Sequence, residues 1–256
     1  MQNKYAGDVG DFGKFGLLRG LFSDPKWKIG VIWYLHTDED TNDGIHVDYL
    51  NKKEFTECDN DLARKLRRIV HKEKRTIKNL ENAEILKSNT IYFDDCVNFH
   101  QEHQKQTKEH KDLRLELRKK WLERAIRKTT GCNVIFLDPD NGMEVGSCRE
   151  LNRFKSGKYA YYREINSFLE NKSILVIYQH LNRNQKHATQ IKSRANELRN
   201  LLPPHITIFA IRFKRYSPRA YFILCDEKYR TEIKENIMTF LSSNWKHHWD
   251  SFYENT

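Results

Sequence analysis

No CxxC pair occurs among the five cysteines, Cys58, Cys96, Cys132, Cys148 and Cys225. An odd, unpatterned set excludes both a disulfide framework and a zinc ribbon. No apolar run approaches membrane-spanning length, and the opening MQNKYAGDVGDF has no apolar core of the signal-peptide kind. The expectation is a cytoplasmic protein with no membrane partner. Internal repeats and Gly/Ser linkers are absent as well, so the expected organisation is one α/β domain over residues 1–256, able to bury a proper core. The GxxxxGK[ST] order of a nucleotide-binding P-loop is also missing.

Negative charge is in deficit. With 45 Lys and Arg against 35 Asp and Glu, the net charge is +10. A balance of this kind favours a polyanionic partner, nucleic acid above all, and DNA in preference to RNA. The basic residues crowd two regions. One is Arg64, Lys65, Arg67, Arg68, Lys72, Lys74 and Arg75, where a solvated helix face is the plain alternative. The other is Arg212, Lys214, Arg215 and Arg219, with Tyr216 among them for stacking.

Six apolar runs read as strands: 28–36, 90–95, 133–140, 173–180, 206–213 and 219–225. Most are continuously apolar, which suits strands covered on both faces. Helical patterns lie between them. Leu113, Leu117, Trp121 and Ala125 form one stripe, Ile191, Ala195 and Leu198 a second, and Leu62, Leu66, Ile69 and Val70 a third. Alternating strands and helices imply parallel crossovers, but the link KRYSP after Phe213 is too short for one, so the last strand should run antiparallel. The expected fold is a three-layer α/β/α domain with a mainly parallel sheet and an antiparallel last strand. Residues 51–89 are expected to form a charged helical insertion, and 100–112 a polar loop or helix start.

Ligands of open parallel sheets gather at the carboxyl ends of the strands. Here those ends carry His36, Asp38, Glu39 and Asp40, then Asp94 and Asp95, then Asp138, Asp140 and Asn141, then Gln179 and His180. One such carboxylate could be a turn residue; four polar ends on one rim point to an active site. In GCNVIFLDPDNGMEVG, Pro139 stiffens the turn between Asp138 and Asp140, and Gly142 permits a tight exit. The N-terminal KYAGDVGDFGKFGLLRG has glycines at 7, 10, 13 and 16, beside Asp8, Asp11 and Lys14. It reads as a glycine-rich approach to a ligand, poorly helical before Phe15, with Lys14 free to meet negative charge. The stretch WYLHTDEDTNDGIHVDYL has His and Asp but no compact ligand spacing, so no metal is expected.

The order of these pieces resembles the bacterial adenine-N6 methyltransferases of the ribosomal-RNA type, which have a class I methyltransferase fold. YAGDVGDFGKFGLL is similar to their opening HAGN segment, with Lys14 at the motif lysine. VIFLDPDNG is similar to their LILIDPPYE, with Asp138 at the catalytic aspartate. The resemblance implies S-adenosylmethionine as cofactor, with Asp94 or Asp95 meeting its adenine. Two departures stand out: Asp140-Asn141 replaces the Pro-Tyr that stacks a flipped base, and HTDEDTNDG replaces the expected GxG loop. WYLHTDED and IYQHL faintly resemble elements of uracil-excising DNA glycosylases.

The leading expectation is therefore a DNA glycosylase-like hydrolase that needs no cofactor and acts on a flipped nucleobase, a chemistry that also suits antiviral defence. Asp138, Asp140 and Lys14 would carry the reaction. Asn141, His180, Asp38, Asp11, Arg212, Lys214, Arg215 and Tyr216 would hold substrate. An adenine-N6 methyltransferase, or a non-catalytic nucleic-acid-binding module, are the alternatives.

Overall fold

A computed structural model describes residues 1–40, 44–97, 105–170 and 174–254. Strands in chain order are β1 (Ile29–Ile32), β2 (Ile91–Phe93), β3 (Val134–Leu137), β4 (Gly142–Met143), β5 (Tyr159–Ala160), β6 (Ile174–His180), β7 (Ile206–Phe213), β8 (Arg219–Asp226) and β9 (Trp249–Glu254). Helices are α1 (Val9–Leu21), α2 (Lys53–Thr56), α3 (Asn60–His71), α4 (Ile77–Asn82), α5 (Lys108–Lys128), α6 (Tyr162–Leu169), α7 (His187–Leu201) and α8 (Arg230–Ser242).

The fold is mixed α/β around a seven-stranded sheet of order β2-β1-β3-β6-β8-β7-β9. Neighbours from β2 to β6 pair in parallel, and those from β6 to β9 pair antiparallel. Five strands thus run one way, with β8 and β9 opposed. Each of the six apolar runs contributes a strand, and the KRYSP link does make a hairpin. Its second strand, however, is not the last: β8 inserts between β6 and β7, and β9 seals the outer edge of β7. The alternating WDSFYE has too few apolar residues to stand out beside the continuous runs.

Successive strand residues feed opposite faces. Val134 and Phe136 join an apolar cluster that also contains residues of α1, α3, α4 and α8. Ile135 and Leu137 join a second, shared with α5, α6 and α7. The charged segment 51–89 holds α2, α3 and α4, and α3 buries Leu62, Leu66 and Ile69 while Val70 is half-buried. Residues 98–104 lie outside the described residues, and from Lys108 the chain is helical, capped by Thr107.

Two helices differ from expectation. The glycine-rich N-terminal segment is already helical at Val9, because Asp8 caps it by accepting from Asp11 N at 3.0 Å. Its glycines serve close packing. A Cβ on Gly13 would come within 3.2 Å of the Phe213 ring, one on Gly16 would overlap Trp245, and one on Gly20 would overlap Phe240. In α5 the inward face is one residue off the leucine stripe: Leu113 and Leu117 are 36% and 37% exposed, while Arg114, Arg118, Trp121 and Ala125 are buried. Arg118 can occupy a core position because Glu164 accepts from it at 2.7 and 2.9 Å. The rings of Tyr34, Trp121 and Tyr161 also lie close to its guanidinium.

Candidate active site

Parallel pairing brings the carboxyl ends of β2, β1, β3 and β6 to one side of the sheet. A cleft of about 780 Å³ opens at the ends of β3 and β6, bounded also by the start of α1 and the β7–β8 hairpin. The two sequence motifs meet on its floor. Lys14 Nζ donates to Asp138 Oδ2 at 2.6 Å and lies 2.9 Å from Asp11 Oδ1. All three side chains are buried, Lys14 and Asp138 at 4% and 3% exposure. Asp11 is further held by the Gly7 amide, which donates to its Oδ2 at 2.7 Å.

Three charges this deep in the protein persist only as a mutually compensating set. Burial alone would discharge Lys14, yet Asp11 and Asp138 hold its pKa above the usual lysine value. Burial pushes both carboxyls above the ordinary aspartate range, against the pull of Lys14. Two carboxylates sharing one ammonium leave one negative charge in excess. A proton taken up by Asp138 would neutralise it. Lys14, held firmly protonated, offers field rather than nucleophilicity.

Asp140 stands in different surroundings. Its Oδ1 is 2.5 Å from the Met1 ammonium, and Gln2 Nε2 donates to its Oδ2 at 2.8 Å. Burial works against its ionised form, but the ammonium and Gln2 outweigh it and hold the pKa below the ordinary value. Asp138 and Asp140 are therefore not a joint pair. The turn between them is shaped by Gly142, whose φ of 105° suits glycine and whose Cα faces the Gln179 side chain too closely for a Cβ. Gln179 Oε1 accepts from Met143 N at 2.9 Å, so this strand-end amide buttresses the loop. Asn141 lines the cleft half-buried, and its side-chain amide has no hydrogen-bond partner among the described residues.

Other expected site residues are dispersed. His180 lines the cleft, exposed. Asp38 lies outside it, accepting from Lys4 N at 3.2 Å. Asp94 is exposed beyond β2, and Asp95 pairs with Arg124 at 2.7 Å. Of the second basic group, Arg212 pairs with Asp250 at 2.8 Å, Arg215 donates to His248, and Lys214 is exposed. None of those three lines the cleft; Tyr216 and Arg219 do.

S-adenosylmethionine, as the resembled family holds it, needs backbone room at the end of the first strand. Here Met1 N donates to Tyr34 O at 2.9 Å, and His36 N donates to Met1 O at 2.8 Å, so the chain's own first residues lie along that strand end. Tyr34 makes the bend at φ 41° without a glycine, and the His36 ring closes against Gly157. Glu39 is tied to Lys158 at 2.5 Å. Among the described residues these groups do not fit that cofactor. Nor does any set of three or more His, Cys, Asp or Glu among them suit a metal ion.

Asp8, Tyr178 and Arg219 also line the cleft, though strand-end reasoning did not single them out. Arg219 was visible as charge alone; a lone arginine opening the apolar run RAYFILC was the available signal. No known protein family, curated protein or solved structure matches this chain.

Proposed function

We propose that this protein hydrolyses the bond between a nucleobase and its sugar in DNA, without a cofactor. The observation that carries the reading is the buried Lys14–Asp138–Asp11 cluster on the floor of a polar cleft. Asp138 accepts a proton from water as the water oxygen bonds to the anomeric carbon. The carbon–nitrogen bond breaks, and the base leaves with its electron pair and takes up a proton. The excess negative charge of the cluster favours the oxocarbenium-like sugar formed on the way. Lys14 keeps Asp138 from being protonated permanently, and the unengaged Asn141 amide reads the edge of the flipped base.

The scaffold we infer is a three-layer α/β/α domain of methyltransferase type. The order β2-β1-β3-β6-β8-β7, with one reversed strand inserted before the last, supports it. The filled ledge at the end of β1 favours hydrolysis over methyl transfer on that scaffold. Besides that strand order, the contact between Lys14 and Asp138 favours the methyltransferase alternative, because it joins the two motifs on which that resemblance rests.

The test is release of free base from single- and double-stranded DNA by purified protein with no S-adenosylmethionine present. Alkali-labile strand breaks should accompany it. Asp138→Asn should lower the rate by roughly two to four decades. Asn141→Ala should mainly relax base choice. Labelled methyl groups appearing on adenine, together with a cofactor-dependent thermal shift, would replace this reading with methyl transfer.

A further inference from the structure

One group in the cleft is not used by this chemistry. Arg219 is only 7% exposed, yet its guanidinium makes a single hydrogen bond among the described residues. Nε donates to Ser217 O at 2.9 Å. Among the described residues, neither terminal nitrogen has a hydrogen-bond acceptor, and no carboxylate lies within ion-pairing distance. Asp8 shares the cleft, but its side chain accepts from Asp11 N as the helix cap. The contrast with Arg118, closed by both oxygens of Glu164, is direct.

The guanidinium is also held where it meets the first turn of α1. Gly10 leaves room for it there, and a Cβ at that position would overlap Nη1. A positive side chain at a helix N-terminus adds to the positive end of the helix dipole. Burial works against the guanidinium's charge, but Tyr178 and Asp8 nearby outweigh it and the Phe213 ring lies 6.0 Å away; the two terminal nitrogens remain open to an anion with paired oxygens at the cleft.

We propose that Arg219 receives a phosphodiester of the nucleic acid, next to the nucleotide whose base enters the cleft. This rests on the base-hydrolysis reading for the choice of anion. The rim beside Arg219 fits a polynucleotide rather than a free anion. Tyr216 is 37% exposed, with its ring centroid 5.1 Å from that of His46. It adopts φ 55° and is fixed there by Lys52 Nζ, which donates to its hydroxyl at 2.8 Å, and by Asp48, which accepts from it at 3.0 Å. A left-handed tyrosine anchored at its hydroxyl is a pre-set platform on which a neighbouring base can stack.

The test measures binding of a labelled single-stranded oligonucleotide by anisotropy in the Asp138→Asn background, so that turnover plays no part. Arg219→Gln should weaken binding about tenfold or more, the size of a charge-assisted phosphate contact. Gly10→Ala, which keeps the charge but displaces the fork, should act in the same direction if Arg219→Gln fails to fold. A series of oligonucleotides, each with one linkage neutralised as methylphosphonate, supplies the specific readout. One linkage should cost affinity in the Arg219 protein and cost nothing further in Arg219→Gln. Equal losses in both proteins would overturn the assignment. So would inorganic phosphate binding that depends on Arg219 while oligonucleotide binding does not. Arg219-dependent DNA binding, with no base released by protein that keeps Asp138, would sink the hydrolytic reading and leave the phosphate site standing.

Discussion

His36 shows how an individual side chain turns burial into pH dependence. Its Nε2 is buried with no partner among the described residues. Burial, reinforced by the nearby Met1 ammonium, lowers its pKa from 6.5 to about 4. The folded protein therefore refuses a proton that the unfolded chain accepts. The stability that His36 contributes is full above pH 6.5 and is lost as pH falls towards 4. Urea unfolding of wild type and His36→Gln at pH 7 and pH 4.5 should show wild type losing about 2–3 kcal/mol more than the variant over that interval. At this scale the sequence was informative where chemistry depends on residue type and position in a motif. Asp138 and Lys14 stood out in two separate motifs, and their side chains touch. It was uninformative where chemistry depends on enclosure: Asp138 and Asp140 look equivalent two residues apart, yet one shares Lys14 and the other is claimed by Met1 and Gln2.

At the scale of elements, α1 carries the clearest lesson. Glycines at three-residue spacing fit a loop or one face of a helix equally well, and only the partner decides. That partner is Phe213, Trp245 and Phe240, supplied by distant segments. Alanine normally favours a helix over glycine by about 1 kcal/mol. Gly16→Ala and Gly20→Ala should nevertheless destabilise this protein, by roughly 1–3 kcal/mol, because overpacking outweighs propensity. A lower urea midpoint at unchanged slope would show it, and a raised midpoint would mean that the rings yield freely. On α5, Trp121 and Ala125 are buried as expected, but the face was misjudged at Leu113 and Leu117 for a related reason. Leucines mark an apolar stripe, but a buried arginine with its own carboxylate and aromatic ring contacts fills a core position that no hydropathy pattern reveals.

For the molecule as a whole, a net charge of +10 coexists with a cleft floor rich in carboxylates. On the reading proposed above, Arg219 would bring one positive contact for a polyanion into that same cleft. Affinity for single-stranded DNA should fall with salt, with a log–log slope of about 0.7 per phosphate neutralised. Arg212→Glu should change that slope little, since Asp250 already pairs with Arg212, whereas Arg219→Gln should reduce it by about one contact. A flat salt response would remove electrostatics from the account of binding. The packing of α1 also has a consequence for how the chain comes into being. Its glycines seat on rings at positions 213, 240 and 245, and residues 1 and 2 lock onto Asp140. As the polypeptide leaves the ribosome, α1 must therefore wait for more than two hundred further residues before its seat is complete. Until then its glycines make it one of the weakest helices in the chain, and the cluster that depends on Lys14 cannot assemble. A helix made before its partners is thus completed only once the rings at positions 213, 240 and 245 have been made.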